Sequence, residues 1–389
     1  MKILYILNIA NKVNNFSYTS MISAQSLGWE FQIAGNWGYA SEDERVADEK
    51  KYGIKIYQVD FQRNPFDIRN ISAYKKIKEI ITNESIDIVH CNTPIGGVCG
   101  RFAGKKCGVD KIIYQAHGFH FYKGAPLLNW LLYYPVERLL AHYTDVLITI
   151  NREDFALAQK FKLRRKGKVY YVPGVGIDLK AYEKVGPDSI RTTVRQELKL
   201  GENAIVSISM GDLIPRKNYG IAIAAMGQLC EKQSNLHFLI CGRGPELDNL
   251  KEQAVSCGIK ENVHFLGFRN DIKMLLQASD FFLLTSLQEG LPRSTMEAMA
   301  SSLPLVCSRI RGNTDLIDEG QGGFMFDPTN VDDCVQAVEK LLSSDYEAMG
   351  KYNLDRVREF RIEAVSAKLT SIYQDECAKM SEVVTDLSE

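Results

Sequence analysis

The sequence predicts an α/β fold of two doubly wound domains, each a parallel sheet with helices on both faces. Three observations lead there. The chain's 389 residues exceed one ordinary compact domain and suit two. Short β-branched apolar runs alternate with amphipathic helical stretches, the order that places a parallel sheet between helical layers. The alternation then restarts after residue 180.

In chain order, residues 3–7, 31–34, 86–90, 112–116, 146–150 and 169–172 are expected as strands. Residues 73–82 and 127–142 are among the helices between them. A linker follows near 173–187. The second series has strands at 204–210, 237–241, 263–266, 281–284 and 305–308, with helices at 219–232, 245–257, 271–277 and 293–300. A closing helix is expected at about 362–380. The domains are therefore set at 1–180 and 181–360, with a terminal helix and tail at 361–389. Ligands of such sheets bind beyond the carboxyl ends of the strands, and two facing sheets leave a cleft between them.

Composition narrows the class. With 45% hydrophobic and 24% charged residues, the chain is neither mostly disordered nor collagenous nor a coiled coil. Its longest apolar runs fall far short of the ~20 residues of a spanning helix. The net charge of −1 hides an asymmetry: residues 1–180 hold 25 Lys and Arg against 17 Asp and Glu, and the rest hold 22 against 31. A basic first half suits an anionic partner, phospholipid or nucleic acid, and the acidic second half disfavours nucleic acid. Nine scattered cysteines without a C-x-x-C pair suggest neither a disulfide framework nor a zinc site, so a reducing cytosol is expected. The apolar start ends in Asn11, Lys12, Asn14 and Asn15, not in a small-residue cleavage site, so it is expected as a buried strand.

Chemistry concentrates at strand ends. Glu289 and Gly290 lie between the strand at 281–284 and the next helix, where glycine permits close approach and free N–H groups suit an anion. Glu297 has two readings, a ligand contact or the far member of a Ser294-x-x-Glu297 capping box. Gly211 opens a loop that carries Arg216 and Lys217, adjacent cations suited to a diphosphate. Cys241-Gly242-Arg243-Gly244-Pro245 imitates a dinucleotide fingerprint but lacks its third glycine, and is read as a tight turn with Pro245 at a helix start. His117 follows the strand at 112–116 and either contacts a polar ligand or is structural; a metal at His117 and His120 has no carboxylate support. No D-x-D, G-x-S-x-G or Walker A motif occurs, and no G-x-G-x-x-G follows the first strand. The stretch 123–140 mixes Trp, Tyr and Leu with Lys and Arg, and 160–168 is strongly basic. That composition fits an interfacial membrane contact, or a half-buried helix beside a solvated loop.

Together these residues resemble the retaining GT-B glycosyltransferases of family 4, particularly those of bacterial capsular and exopolysaccharide synthesis. The resemblance rests on the E-x7-E spacing of Glu289 and Glu297, on Gly211…Arg216-Lys217 and on His117-Gly118, and it covers essentially the whole chain. It implies two Rossmann-like domains facing across a cleft and a terminal helix crossing back to the first. Arg216 and Lys217 would hold the donor diphosphate and stabilise the leaving group. Glu289 would meet the donor sugar beside the Gly290 and Leu291 backbone, Glu297 the ribose, and His117 the transferred sugar. Arg269 stands in Gly267-Phe268-Arg269-Asn270-Asp271, which resembles the loop framing the base, and Asp315…Gly323 resembles the phosphate-side segment.

The implied enzyme is a metal-free, cofactor-free hexosyltransferase. It would carry a sugar from a nucleotide donor, UDP above all, to a lipid-diphosphate-linked saccharide, with the first domain on an anionic inner leaflet. A soluble acceptor, a UDP-sugar epimerase and a non-catalytic nucleotide-sugar binder are the alternatives. Two departures stand out: residues 8–17 contain no glycine where the family has a glycine-rich loop, and Pro173-Gly174-Val175-Gly176-Ile177-Asp178 replaces N-G-V-D.

Overall fold

A computed structural model describes residues 1–13, 15–182 and 189–377. Residue 14 of the loop after the first strand, 183–188 of the expected linker and 378–380 of the expected closing helix lie outside the described residues. The chain divides into two units: Met1–Gly176 together with the segment from Ile362, and Ile177–Arg361.

The first unit has seven parallel strands, β1 (Lys2–Ile9), β2 (Glu30–Asn36), β3 (Lys55–Gln58), β4 (Ile88–Asn92), β5 (Lys111–Ala116), β6 (Val146–Thr149) and β7 (Lys168–Tyr171), in the order β3-β2-β1-β4-β5-β6-β7. Helices α1 (Asn15–Ser26), α2 (Glu42–Tyr52), α3 (Arg69–Asn83), α4 (Pro94–Cys107), α5 (Leu127–Ala141) and α6 (Arg152–Ala158) fall between them. One face of the sheet packs on α1 through Met21 and Ala24, and the other on α3 and α4 through Ile77, Ile80 and Ala103.

The second unit repeats the plan with β8 (Ile205–Met210), β9 (Leu236–Cys241), β10 (Val263–Gly267), β11 (Phe281–Leu284), β12 (Leu305–Ser308) and β13 (Gly323–Phe326), ordered β10-β9-β8-β11-β12-β13. Its helices are α7 (Ser189–Glu197), α8 (Tyr219–Lys232), α9 (Leu247–Ser256), α10 (Ile272–Ala278), α11 (Arg293–Ala300), α12 (Asn313–Leu316), α13 (Val331–Leu342) and α14 (Tyr346–Arg356). The last helix, α15 (Ile362–Cys377), belongs to the first unit, where it buries Val365, Leu369, Ile372 and Tyr373 beside α1.

Strand order reverses between β1 and β4 in one sheet and between β8 and β11 in the other, and loops leaving such neighbours diverge to leave a crevice at their carboxyl ends. The strand expected at 86–90 begins at Ile88, because the Ile86 amide still bonds the Ile81 carbonyl at the end of α3. Pro245 is not inside the next helix: α9 starts at Leu247 with Glu246 at the cap. Strands β3 and β13 carry no expectation from sequence.

Candidate functional site

In the second unit, the loops after β8 and β11 meet. The Leu287 amide donates to the Arg216 carbonyl (2.8 Å) and the Thr285 hydroxyl to the Lys217 carbonyl (3.1 Å), which fixes one loop against the other. Lys217 Nζ lies 2.8 Å from Glu289 Oε1, with both side chains largely buried. Arg216 is 3.4 Å from the same oxygen and donates to the Gln288 carbonyl at 2.6 Å. Two cations thus converge on one carboxylate at the switch point, leaving one net positive charge there. Adjacent cations of this kind can hold an anion such as a diphosphate, and a carboxylate can accept from a hydroxyl.

Three supports hold this pair of loops. Gly211 N–H bonds the Cys241 carbonyl, Leu213 N–H the Arg243 carbonyl, and Glu246 N–H the Leu213 carbonyl. A Cβ on Gly242 would sit 1.8 Å from the Gly211 oxygen, so the glycines of Cys241–Pro245 serve backbone packing. On the other side, Arg311 donates from Nε to the Glu289 carbonyl at 3.0 Å. Gly312 has φ +85°, and a Cβ there would meet the Gly290 oxygen at 2.5 Å. Leu291 is half-buried against the core.

Glu297 makes no capping box. Helix α11 starts at Arg293 with Pro292 at the cap position, so Ser294 lies inside the first turn and cannot cap it. Glu297 Oε1 instead pairs with Arg293 Nε at 2.9 Å, and it faces Tyr182, whose phenol is pushed up by burial and by that carboxylate. Arg269, after β10, is engaged by Asp271 (2.7 Å from Nε), and its loop meets β9 through the Gly242 amide and Gly267 carbonyl. Gly211, Arg216, Lys217, Glu289 and Gly290 are therefore assembled together; Glu297 and Arg269 each have a local partner.

His117 belongs to the first unit, at the carboxyl end of β5. Its Nε2 is 2.9 Å from Asn92 Oδ1, which assigns the proton to Nε2, and Nδ1 is buried with no hydrogen-bond partner among the described residues. Phe16 lies edge-on at 5.1 Å. Burial pushes the imidazole down to about 4, so it is neutral near pH 7 and presents Nδ1 as an acceptor. Next to it, Asn8 at the end of β1 takes the place of a glycine-rich loop. Its Oδ1 accepts from the Gly96 amide in the first turn of α4 and from the Thr93 hydroxyl at 2.9 Å, while the Asn8 amide donates back to Thr93 Oγ1 at 3.0 Å. Thr93 is held at φ +63°, a strained conformation for a β-branched residue.

Sequence reasoning missed Arg311, Asn8, Asn92 and Tyr182; Arg311 at least stood one loop beyond a strand end, the signal that found Arg216. Among the described residues no three His, Cys, Asp or Glu side chains group as a metal site.

Residues 190–356 match the family model for glycosyl transferases group 1, and residues 23–151 that for glycosyl transferase 4-like domains. The Bacillus subtilis protein EpsD, named as a glycosyltransferase, is 35% identical over 303 residues, 77% of each chain. The Escherichia coli UDP-Gal:alpha-D-GlcNAc-diphosphoundecaprenol alpha-1,3-galactosyltransferase is 31% identical over 70% of this chain and 72% of its own. The Bacillus anthracis N-acetyl-alpha-D-glucosaminyl L-malate synthase is 26% identical over 83% and 82%. Among solved structures, Anabaena HepE in complex with UDP and glucose superposes with a TM-score of 0.76 at 20% identity, over 96% of this chain and all of that one. That likeness shows the GT-B fold. With relatives of this identity and coverage, and with both halves matched by glycosyltransferase models, the chain belongs to the group 1, or family 4, glycosyltransferases.

Proposed function

We propose that the protein moves a hexose from a UDP-sugar onto a lipid-diphosphate-linked saccharide at the inner face of the membrane, in the synthesis of a bacterial surface polysaccharide. The reaction keeps the anomeric configuration and uses no bound metal or cofactor. One observation carries this reading: Arg216 and Lys217 converge on Glu289 at the β8/β11 switch point. The name of the Escherichia coli relative, with its UDP-linked donor and lipid-diphosphate acceptor, supports the choice of substrates. HepE, solved with UDP, supports the base.

In this reading an acceptor hydroxyl forms a bond to the anomeric carbon as the bond to the diphosphate breaks. The electron pair leaves with UDP and the hydroxyl proton passes to the departing phosphate oxygen. Arg216 and Lys217 stabilise the charge that develops on that diphosphate, as a divalent ion does elsewhere. Glu289 turns from its cations to the donor sugar's hydroxyls, Glu297 takes the ribose hydroxyls, and the neutral His117 accepts from a sugar hydroxyl through Nδ1.

The test is a thermal-shift titration with UDP, GDP, ADP and NAD, each with EDTA and again with magnesium, followed by turnover of UDP-sugars with a lipid-linked acceptor. Stabilisation by UDP that survives EDTA is expected. Stabilisation by NAD alone, or by no nucleotide, overturns the reading. Transfer to a small soluble acceptor only would favour a second reading, which the malate-linked name of the Bacillus anthracis relative supports.

A further inference from the structure

Helix α5 is built inside out. Its two charged residues are Glu137 and Arg138, and Glu137 is turned inward, with Oε2 2.9 Å from Nη1 of the buried Arg101 on α4. Trp130 and Tyr134 also face the core, against Phe121. The outward face repeats every three to four residues as Leu127/Leu128, Leu131/Leu132, Val136 and Leu139, and these side chains are 47–73% exposed. An ordinary surface helix sends its charges out and its leucines in. Here the acid is taken out of solvent and leucines are left in it.

The apolar surface continues past α5. Phe102 of α4 lies 5.1 Å from the ring of Tyr143, just beyond the end of α5. On its other side Phe102 lines a groove of about 390 Å3 with Ile71, Tyr74 and Val98. Phe66 and Ile68, on the loop before α3, stand almost wholly in solvent at its rim. Large apolar side chains exposed together on α5, at Phe102 and in the 66–71 segment mark an interaction site.

Charge selects the occupant. Lys123 precedes α5 by one turn, Arg138 sits beside Leu139, and Lys105 and Lys106 follow Phe102 by one turn; all are exposed. Helix α4 has no acidic residue, and α5 has only the buried-side Glu137. A second copy of the chain, related by a two-fold axis, would bring this cationic rim against itself. An anionic bilayer offers hydrocarbon for the leucines and phosphate for the rim together. We infer that the outward face of α5, continued by Phe102 and the 66–71 segment, seats in the headgroup and acyl boundary of an anionic phospholipid bilayer. The inference rests on the lipid-linked acceptor proposed above and names the surface that reaches it.

The test uses the full chain in flotation with vesicles of phosphatidylglycerol and phosphatidylethanolamine, and with phosphatidylcholine alone. Wild type is expected to float with the anionic vesicles and to be released from them by high salt. Leu128→Glu with Leu131→Glu should weaken binding by about tenfold or more. The same variant should retain the UDP thermal shift and its turnover of a water-soluble short-chain acceptor. Leu128→Ser with Leu131→Ser repeats the test should the glutamates disturb folding. Wild type that fails to float, variants that float as well as wild type, or a dimer dispersed by these substitutions without vesicle binding would each overturn the docking surface. A protein that responds to UDP yet does not float refutes the surface and leaves the transferase reading standing. One that floats without responding to UDP does the reverse.

Discussion

Glu289 and Glu297 share one sequence spacing but stand in different electrostatic settings. Glu289 is largely buried against two cations, so the site is preorganised around a charge balance that a bound diphosphate would shift. Arg216→Ala should therefore lower kcat/KM by roughly 3 kcal/mol of transition-state stabilisation, about two orders of magnitude; steady-state kinetics that match wild type would remove Arg216 from the mechanism. Glu297 is bridged within its own helix to the half-exposed Arg293, a pairing worth about 0.3–0.5 kcal/mol. Glu297→Gln should leave the melting temperature nearly unchanged and raise KM for the nucleotide sugar; lower stability with unchanged KM would mark it as structural. His90 shows the opposite use of a titratable group. It is fully buried, and burial lowers its imidazole to about 3. Between about pH 6.5 and 3 the unfolded chain binds the extra proton, so stability falls as pH falls through that window, by roughly 3 kcal/mol at pH 4.5. His90→Gln should flatten that slope in denaturant titrations across pH. Arg216, Lys217 and Glu289 were legible in the sequence because each follows a recognisable strand. Asn8 and Arg311 were not, because what matters is the backbone group each reaches, 88 residues along the chain in one case and 22 in the other.

Elements explain why the site's loops hold their shape. The loops after β8, β9, β11 and β12 lock together through backbone groups, and glycine is required where they touch. Gly312→Ala would place a methyl 2.5 Å from the Gly290 oxygen at a positive φ, which costs on the order of 1–3 kcal/mol and displaces the Glu289 segment. The expected outcome is a lost UDP thermal shift with the circular-dichroism spectrum retained; an unaffected UDP response would show that the loop tolerates the displacement. At this scale the sequence revealed every strand but β3 and β13, and helices with a clear apolar stripe. It placed α11 at its observed bounds but left the role of Glu297 open, because a capping box and a Pro292 start share the same residues, and only the backbone decides which amides are left open. It found α5 but not its orientation. An ion pair to Arg101, 36 residues earlier, turns Glu137 inward, and no local pattern encodes that choice.

The whole molecule is two sheets of one design, and the chain's end returns to the first of them. Helix α15 closes the face of that sheet that carries α1: Tyr373 stacks on Trp29 with ring centroids 5.5 Å apart, and its hydroxyl meets His90 Nδ1 at 2.7 Å. The charge asymmetry between residues 1–180 and the rest was readable from composition, and it is diluted in the two units because the segment from Ile362 adds acidic residues to the unit that carries the α5 face. The return of α15 followed only from family resemblance, since its periodicity does not say which sheet it covers. Because the units have separate cores, their unfolding should resolve into two transitions, and a single enthalpy would misdescribe it. Tyr373→Phe leaves a buried imidazole nitrogen without its partner, at about 1–3 kcal/mol, and Tyr373→Ala adds a cavity for a total of about 3–5 kcal/mol. Both losses should fall on the transition of the first unit. The transition of the unit with Arg216, Lys217 and Glu289, which the proposed function expects UDP to raise, should stay where it is. Differential scanning calorimetry with and without UDP separates the two, and a Tyr373→Ala variant in which both transitions drop together would mean that the two cores melt as one.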